Sequence, residues 1–139
     1  MKLTKMIETY RGTIFPWECD FFDHVNVRHY VAKFDEATWQ FLAHFDMTPS
    51  YFKKTKTGMF NVEHNIKYRR ELFAGDLIMI KTELLEVGPR SISYQHILIK
   101  TDINDIAATM NVTAAHVEME TRRSNNIPKN IYDKLLNGL

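Results

Sequence analysis

The hydrophobic period of the chain changes from a helical repeat to a strand repeat, and this change limits the folds that it can adopt. Between Val27 and Phe45, apolar residues recur every three or four positions, which predicts an amphipathic helix of about five turns. The buried stripe is predicted to comprise Tyr30, Phe34, Ala37, Phe41 and Phe45. The polar face is predicted to comprise Lys33, Glu36, Gln40 and His44. Asn26 is the candidate N-cap, and Thr48-Pro49-Ser50 is expected to close the segment.

One segment with strand character precedes this helix, and four such segments follow it. A first strand is predicted over 7–17, and the later strands are predicted over 60–68, 77–87, 90–100 and 106–119. The strand over 60–68 is predicted to place one alternating set on a common face: Phe60, Val62, His64, Ile66 and Tyr68. Residues 128–136 are predicted to form a short C-terminal helix.

This order of elements favours an α+β fold in which a five-stranded antiparallel sheet holds the long helix on one face. A sheet of that size has two exposed edges, so we expect two copies of the chain to pair edge to edge. The length of 139 residues suits one hydrophobic core. We therefore interpret residues 1–139 as a single domain.

Composition argues against several classes of partner and compartment. The net charge of +1, from 18 basic and 17 acidic residues, gives no overall field that would attract nucleic acid or an anionic membrane. Cys19 is the only cysteine, which excludes an intrachain disulfide and favours a reducing compartment. The N-terminus lacks the apolar core of a signal peptide, and no apolar run approaches the roughly 18 residues of a membrane span. We expect a cytoplasmic protein.

The segment over 17–26, between the first strand and the helix, holds three carboxylates, a thiol and an imidazole. The helix that follows leaves its first amides unpaired and carries the positive end of its dipole, so it can stabilise an oxyanion. A carboxylate beside such a site is a hydrolytic arrangement. Asp20 and Asp23 can equally be cap or turn residues, and local chemistry leaves both interpretations open. The spacing of the histidines and of Cys19 gives no metal-binding pattern, so no metal is expected.

The same segment resembles the active-site signature of the hotdog-fold acyl-CoA thioesterases of the 4-hydroxybenzoyl-CoA thioesterase-like family. The matching residues are Asp20, His24, Val25, Asn26, Tyr30, Phe34 and Ala37. The likeness continues over 62–71, 74–77 and 122–128. Three positions depart from the family: Glu18 replaces an aspartate, Asp23 a glycine and Val27 an asparagine. Because Asp23 adds a charge near Asp20, we expect it to raise the pKa of one of the two carboxyls.

The resemblance implies a role for each matching residue of the site. It assigns Asp20 as the nucleophile or the general base, and the Val27 backbone N–H as the oxyanion donor. His24 and Asn26 join them at the start of the helix. Glu63 and His64 are possible supporting residues, although Glu63 can also be a solvated strand residue and His64 a hydrogen-bonded core histidine.

The phosphates of CoA require a local basic cluster, because the net charge of the protein is close to zero. Arg69 and Arg70, with Lys67 beside them, form one such cluster, and Arg90 is the other candidate. Each of these side chains can also be an ordinary solvated charge.

Taken with these residues, the resemblance implies hydrolysis of an acyl-CoA to a free acid and CoA by a homodimer or homotetramer. No cofactor is expected, since CoA is part of the substrate. A hydratase or dehydratase using His24 with Asp35 or Glu36 is one alternative. A non-catalytic acyl-CoA-binding module is the other.

Overall fold

The computed structural model of the protein describes residues 5–139 and contains one five-stranded antiparallel sheet in the order β1-β3-β4-β5-β2. The elements are β1 (Ile7–Thr13), α1 (Val27–His44), α2 (Pro49–Thr55), β2 (Thr57–Tyr68), β3 (Leu77–Val87), β4 (Ser91–Lys100), β5 (Asp105–Glu118) and α3 (Lys129–Asn137). The predicted α+β architecture is therefore confirmed, with the β3 bounds as predicted. The N-terminal stretch in which no signal peptide was recognised includes residues 1–4, which lie outside the described residues. Among the described residues, no helix is long and apolar enough to cross a membrane.

Helix α1 packs its aromatic stripe against one face of the sheet. Phe34, Ala37 and Phe41 are fully buried, and Tyr30 and Phe45 are nearly so. Each of these residues lies three or four positions from the next, so their side chains form one continuous apolar face. The predicted stripe is confirmed along its whole length, and it places the N-terminus of α1 next to the segment over 17–26.

Lys33 was wrongly predicted to lie on the polar face of α1. Its side chain is only 8% exposed, and its Nζ lies 2.5 Å from Oε2 of the equally buried Glu18. The predicted first strand ends early, at Thr13, and Pro16–Glu18 forms a 3₁₀ turn that carries Glu18 to the helix. The other carboxylate oxygen of Glu18 accepts the Phe15 amide at 2.9 Å. Burial of the Lys33 charge is tolerated because it is paired.

A short helix, α2, occupies the region where the chain was expected to leave helical structure. Thr48 caps it by accepting the Tyr51 amide on its hydroxyl at 3.1 Å, and Pro49 occupies its first turn. Proline ends one helix but suits the first position of another, since the amide that it lacks has no partner there. The expected close of α1 was correct, but the new helix was missed.

Strand β2 lies at an edge of the sheet and contains a β-bulge between Asn61 and Glu63. Beyond the bulge, His64 lies opposite Val112, on the helix-facing side of the sheet. Phe60 lies opposite Ala115, so the extra residue has moved it to the other face and the single alternating set was wrong. His64 is exposed at this edge and is not a core histidine.

His96 of β4 is a core histidine, with 0% exposure. The Thr38 hydroxyl donates to the Phe34 carbonyl at 3.1 Å, so it must accept from Nε2 of His96 at 2.8 Å. A neutral imidazole then accepts at Nδ1, here from the Thr82 hydroxyl at 2.6 Å. The Thr9 hydroxyl lies 2.8 Å from that of Thr82. This chain of hydrogen bonds connects α1 to three strands through an uncharged imidazole.

Candidate active site

The segment over 17–26 folds into a tight turn whose ends pair through an antiparallel bridge between Cys19 and Val25. Oδ1 of Asp20 accepts the Phe22 amide at 2.9 Å, and the Asp20 carbonyl accepts the Asp23 amide at 3.0 Å. Asp23 has a φ of 61°, a left-handed conformation that glycine adopts readily and aspartate tolerates. The turn that a glycine would ease is therefore present, with aspartate in its place.

Asn26 connects Asp20 to the start of α1. Its Nδ2 donates to Oδ2 of Asp20 at 3.0 Å, and its Oδ1 accepts the Arg28 amide at 3.1 Å. Asn26 is thus the helix N-cap, as predicted, and Asp20 is not. The Asn26 hydrogen bond, followed by that from the Phe22 amide, lowers the pKa of Asp20. For Asp20, the expected rise in pKa caused by Asp23 was wrong, because donors to the carboxylate dominate.

His24 lies between two carboxylates. Its Nδ1 is 2.8 Å from Oε1 of Glu71, and its Nε2 is 3.7 Å from Oδ1 of Asp20. The first distance is a hydrogen bond, whereas the second places the imidazole beside Asp20 without bonding it. The His24 side chain is 31% exposed and the Asp20 side chain 22%, so both can meet a ligand from solvent.

A cavity of about 230 Å³ opens beside the N-terminus of α1. Its lining residues are His24, Val25, Val27, Tyr30, Tyr68, Arg69, Arg70 and Glu71. The Val27 backbone N–H belongs to the first turn of the helix, where amides have no acceptor within the helix. Tyr30 and Tyr68 meet edge to face with ring centroids 5.0 Å apart, and burial raises the pKa of Tyr30 to about 12. The cavity therefore combines a neutral aromatic wall with a backbone donor and an imidazole.

Asp20 opens onto an adjoining groove of about 410 Å³, together with Trp17, Cys19, Phe21, Asn26, Arg28 and His29. The contact between His24 and Asp20 is the connection between the groove and the cavity. The predicted residues Asp20, His24, Asn26 and Val27 are thus brought together, although they face two neighbouring depressions.

The predicted basic residues fall into two places. The amides of Arg69 and Arg70 donate to the carbonyl of Ala107 on β5, and both residues line the cavity. Arg90 instead contacts His116 through its backbone, nine residues further along β5 and therefore about 30 Å away. Within one protomer, Arg90 is not part of the cluster formed by Arg69 and Arg70.

The two candidate supporting residues lie outside the cavity of the same protomer. His64 points to the helix-facing side of β2, four residues from Tyr68 and therefore about 13 Å along the strand. Glu63 lies opposite Thr113, on the other face of the sheet. Both are exposed on the edge strand.

Sequence reasoning missed Tyr68 and Glu71 as residues of the site. Glu71 is 47 positions from its partner His24, a separation that carries no local pattern. The residues over 62–71 contributed to the family resemblance, but only the pairing of β2 with β5 and the turn into β3 bring Glu71 to His24.

The model of the thioesterase-like superfamily matches residues 14–135, which include all of the proposed site. Comparison with curated protein sequences finds no significant match.

Solved structures provide the likeness in three dimensions. A hypothetical protein from Staphylococcus aureus, SAV2348 in complex with CoA, has a TM-score of 0.88 at 18% identity, over 99% of this chain and 85% of that one. YbaW, a probable thioesterase from Escherichia coli, has a TM-score of 0.78 at 19% identity, over 93% of this chain and 96% of that one. Slr0204, a 1,4-dihydroxy-2-naphthoyl-CoA thioesterase from Synechocystis, has a TM-score of 0.82 at 10% identity, over 96% of this chain and 97% of that one. These likenesses confirm the predicted hotdog fold.

Proposed function

The chain belongs to the thioesterase-like superfamily, and on that premise we propose that it hydrolyses an acyl-CoA to a free acid and CoA at the cavity beside α1. The family confirms the expectation of a thioester hydrolase. The observation that carries the proposed site is the group of Asp20, His24 and the Val27 amide, placed at one helix N-terminus. This group supplies a carboxylate, a proton acceptor and an oxyanion donor.

Asp20 is proposed to attack the thioester carbonyl as a nucleophile or to activate water as a general base. Hydrogen bonds from the Asn26 side chain and the Phe22 amide lower its pKa, so it is ionised at neutral pH, as both roles require. Nucleophilic attack would form a mixed anhydride between Asp20 and the acyl group and expel the CoA thiolate. Rapid-quench kinetics separate the roles. Nucleophilic attack allows CoA to appear before the acid, whereas general-base attack by water releases both together.

The Val27 amide is proposed to stabilise the oxyanion that forms at the thioester carbonyl. A donor of this kind contributes about 3–4 kcal/mol to the transition state in comparable sites. Asn26 supports the arrangement, because it caps the helix and holds Asp20 with the same side chain.

Arg69 is the leading candidate to contact the phosphates of CoA. Arg70 also lines the cavity, but its guanidinium is paired with Asp105. In this role Arg69 would act from the rim, where the exposed end of β2 meets the cavity. Arg90 remains a candidate only for a part of CoA bound far from this cavity.

The alternative functions have less support in the geometry. Asp35 and Glu36 are exposed on α1, and Asp35 lines a separate groove with Trp39 and Asn61, so neither pairs with His24 as a hydratase would require. A non-catalytic acyl-CoA-binding module would use Asp20 only to hold the turn, through the Phe22 amide and the Asn26 side chain, and it would release no thiol. The thioesterase-like family of the chain favours the hydrolase over this alternative.

We also propose that two copies pair through their β2 edges, directly or within a tetramer. Strand β2 has 12 residues, of which eight are exposed, including Val62 at 64% exposure. A long exposed edge favours pairing with another strand. Light scattering that gives a monomer at micromolar concentration would contradict this.

The test of the function is thiol release from a panel of acyl-CoAs by the wild type, Asp20→Asn and Asp23→Asn. Asn tolerates the left-handed conformation at position 23, so Asp23→Asn removes a neighbouring charge with the turn intact and is the matched control. We expect Asp20→Asn to lose about 100-fold or more in kcat and the control to keep activity. The proposal fails if no CoA ester is cleaved, or if Asp20→Asn turns over like the control.

A further inference from the structure

Glu71 contacts the loop over 17–26 through the side chain of His24. It lies between β2 and β3, and its Oε1 is 2.8 Å from Nδ1 of His24. A carboxylate can only accept a hydrogen bond here, so Nδ1 carries the proton. A neutral His24 then presents an unprotonated Nε2, the atom 3.7 Å from Asp20.

Backbone and side-chain contacts on both sides fix this pair in place. The Val25 amide, next to His24, donates to the carbonyl of Leu72 at 2.9 Å, which joins the loop to the segment that carries Glu71. Nζ of Lys100 lies 3.3 Å from the Glu71 carbonyl and 3.2 Å from the Asp76 carboxylate. A hydrogen bond between partly exposed side chains is usually mobile and weak, whereas in this one hydrogen bonds hold the backbone on both sides.

We propose that Glu71 is a positioning residue that holds His24 in the tautomer and orientation in which Nε2 accepts a proton from the hydrolytic water. The inference rests on the proposed thioesterase function. In the nucleophilic route of Asp20, the water oxygen bonds to the acyl carbon of the Asp20 anhydride, and the water proton passes to Nε2. The bond between the acyl carbon and the Asp20 carboxylate oxygen breaks with its electron pair on the departing carboxylate. The imidazolium then returns its proton to the CoA thiolate or to solvent.

The charged and titratable groups around His24 decide whether a change of charge at Glu71 favours or disfavours the imidazolium form of His24. On its own loop lie Asp20 and Asp23, and from the β2–β3 side come Glu71, Arg69 and Arg70, the last paired with Asp105. Tyr30 of α1 and Tyr68 of β2 complete the wall, and Lys100 of β4 lies behind Glu71. Of the two carboxylates within 4 Å of the ring, Glu71 alone bonds it, so removal of its charge disfavours the imidazolium.

Two variants separate the charge of Glu71 from its hydrogen bond, and a third is the control. Glu71→Gln keeps an acceptor for Nδ1 and removes the charge, whereas Glu71→Ala removes both. Glu86→Gln makes the same charge change at an exposed position near the far end of β3. The measurements are kcat, KM and the pH profile of kcat/KM, with thermal unfolding to check folding.

We expect Glu71→Gln to lower kcat about 10-fold with KM unchanged, and to move the acid limb of the profile toward lower pH. For Glu71→Ala we expect a loss of about 100-fold in kcat. A profile for Glu71→Gln that matches that of Glu86→Gln overturns the proposal. So does a raised KM with unchanged kcat, since Glu71 would then contact the substrate.

A tautomer measurement keeps the inference separate from the proposed function. If the wild type cleaves no CoA ester, the thioesterase proposal has failed, and nitrogen-15 NMR of histidine-labelled protein still tests the positioning, with His24→Asn to assign the signal. We expect a neutral Nδ1–H tautomer in the wild type and its loss in Glu71→Ala. The same tautomer in both proteins refutes the positioning role.

Discussion

Acidification lowers the folding stability more through the buried imidazole of His96 than through an exposed histidine. Burial lowers the pKa of His96 from 6.5 to about 3, so the folded protein keeps this ring neutral where an unfolded chain protonates it. The unfolded state therefore binds one more proton below pH 6.5, and stability falls as the pH drops from 6.5 toward 3. Above pH 6.5 both states are neutral at this residue, and its contribution no longer changes with pH.

The magnitude follows from the size of this pKa shift. Each pH unit between the two pKa values costs about 1.4 kcal/mol of unfolding free energy, so the full window corresponds to about 5 kcal/mol. Half of that loss is reached at about pH 4.7, which lies midway between the two pKa values. A loss of this size is a large part of the stability of an ordinary domain.

The assay is urea unfolding of the wild type and of His96→Gln at pH 7, 6, 5 and 4. His96→Gln removes the titrating ring, so we expect lower stability at pH 7 but a shallower decline on acidification. His64→Gln is the control, because His64 is exposed and its removal should leave the wild-type decline unchanged. His116 is also buried, and burial lowers its pKa, so part of the decline persists in His96→Gln. Equal declines in the wild type and His96→Gln would refute the reasoning.

Three further changes test the loop and its support. Val27→Pro removes the oxyanion amide, and proline suits this first helical position, where Asn26 already has the extended φ of −70° and ψ of 147° that a following proline requires. We expect thiol-release assays to give a loss of about 100-fold or more in kcat with folding intact, against little change for Val27→Ala. Asp23→Ala places a β-carbon in a left-handed conformation and should cost about 1 kcal/mol in urea unfolding, whereas Asp23→Gly should not. Lys33→Met leaves the buried Glu18 carboxylate unpaired and should cost about 3 kcal/mol by the same measurement, part of which Lys33→Met with Glu18→Gln should recover.

Most of the secondary structure could be predicted because it depends on the hydrophobic period and on the residues, such as proline and glycine, that end helices and strands. The stripe of α1 and the alternation of β4 are one-dimensional patterns, and the burial of both agrees with them. Helix α2 was missed because Pro49 fits the end of one helix and the start of another equally well. The predicted face of Phe60 was wrong because a single bulge in β2 reverses the alternation, and the composition of the strand does not indicate the bulge.

The site was predicted only as far as its residues are close in sequence. Asp20, His24, Asn26 and Val27 lie within eight positions, and the turn brings them together as the resemblance implied. Their catalytic roles, the contacts with CoA, the pairing of copies, the single-domain interpretation over 1–139, the cytoplasmic location and the absence of a metal or cofactor stay predictions.

The sequence by itself determined the α+β class, the helix that forms the core and the loop that carries the reactive groups, because each depends on neighbours along the chain. Tertiary structure decided which charges are buried, since only packing brings Glu18 to Lys33 across the start of α1. It also decided that Glu71 meets His24, because strand pairing closes a separation of 47 residues to 2.8 Å. Hydrogen bonds and ion pairs of this kind depend on distance in space, which the linear order of residues does not contain.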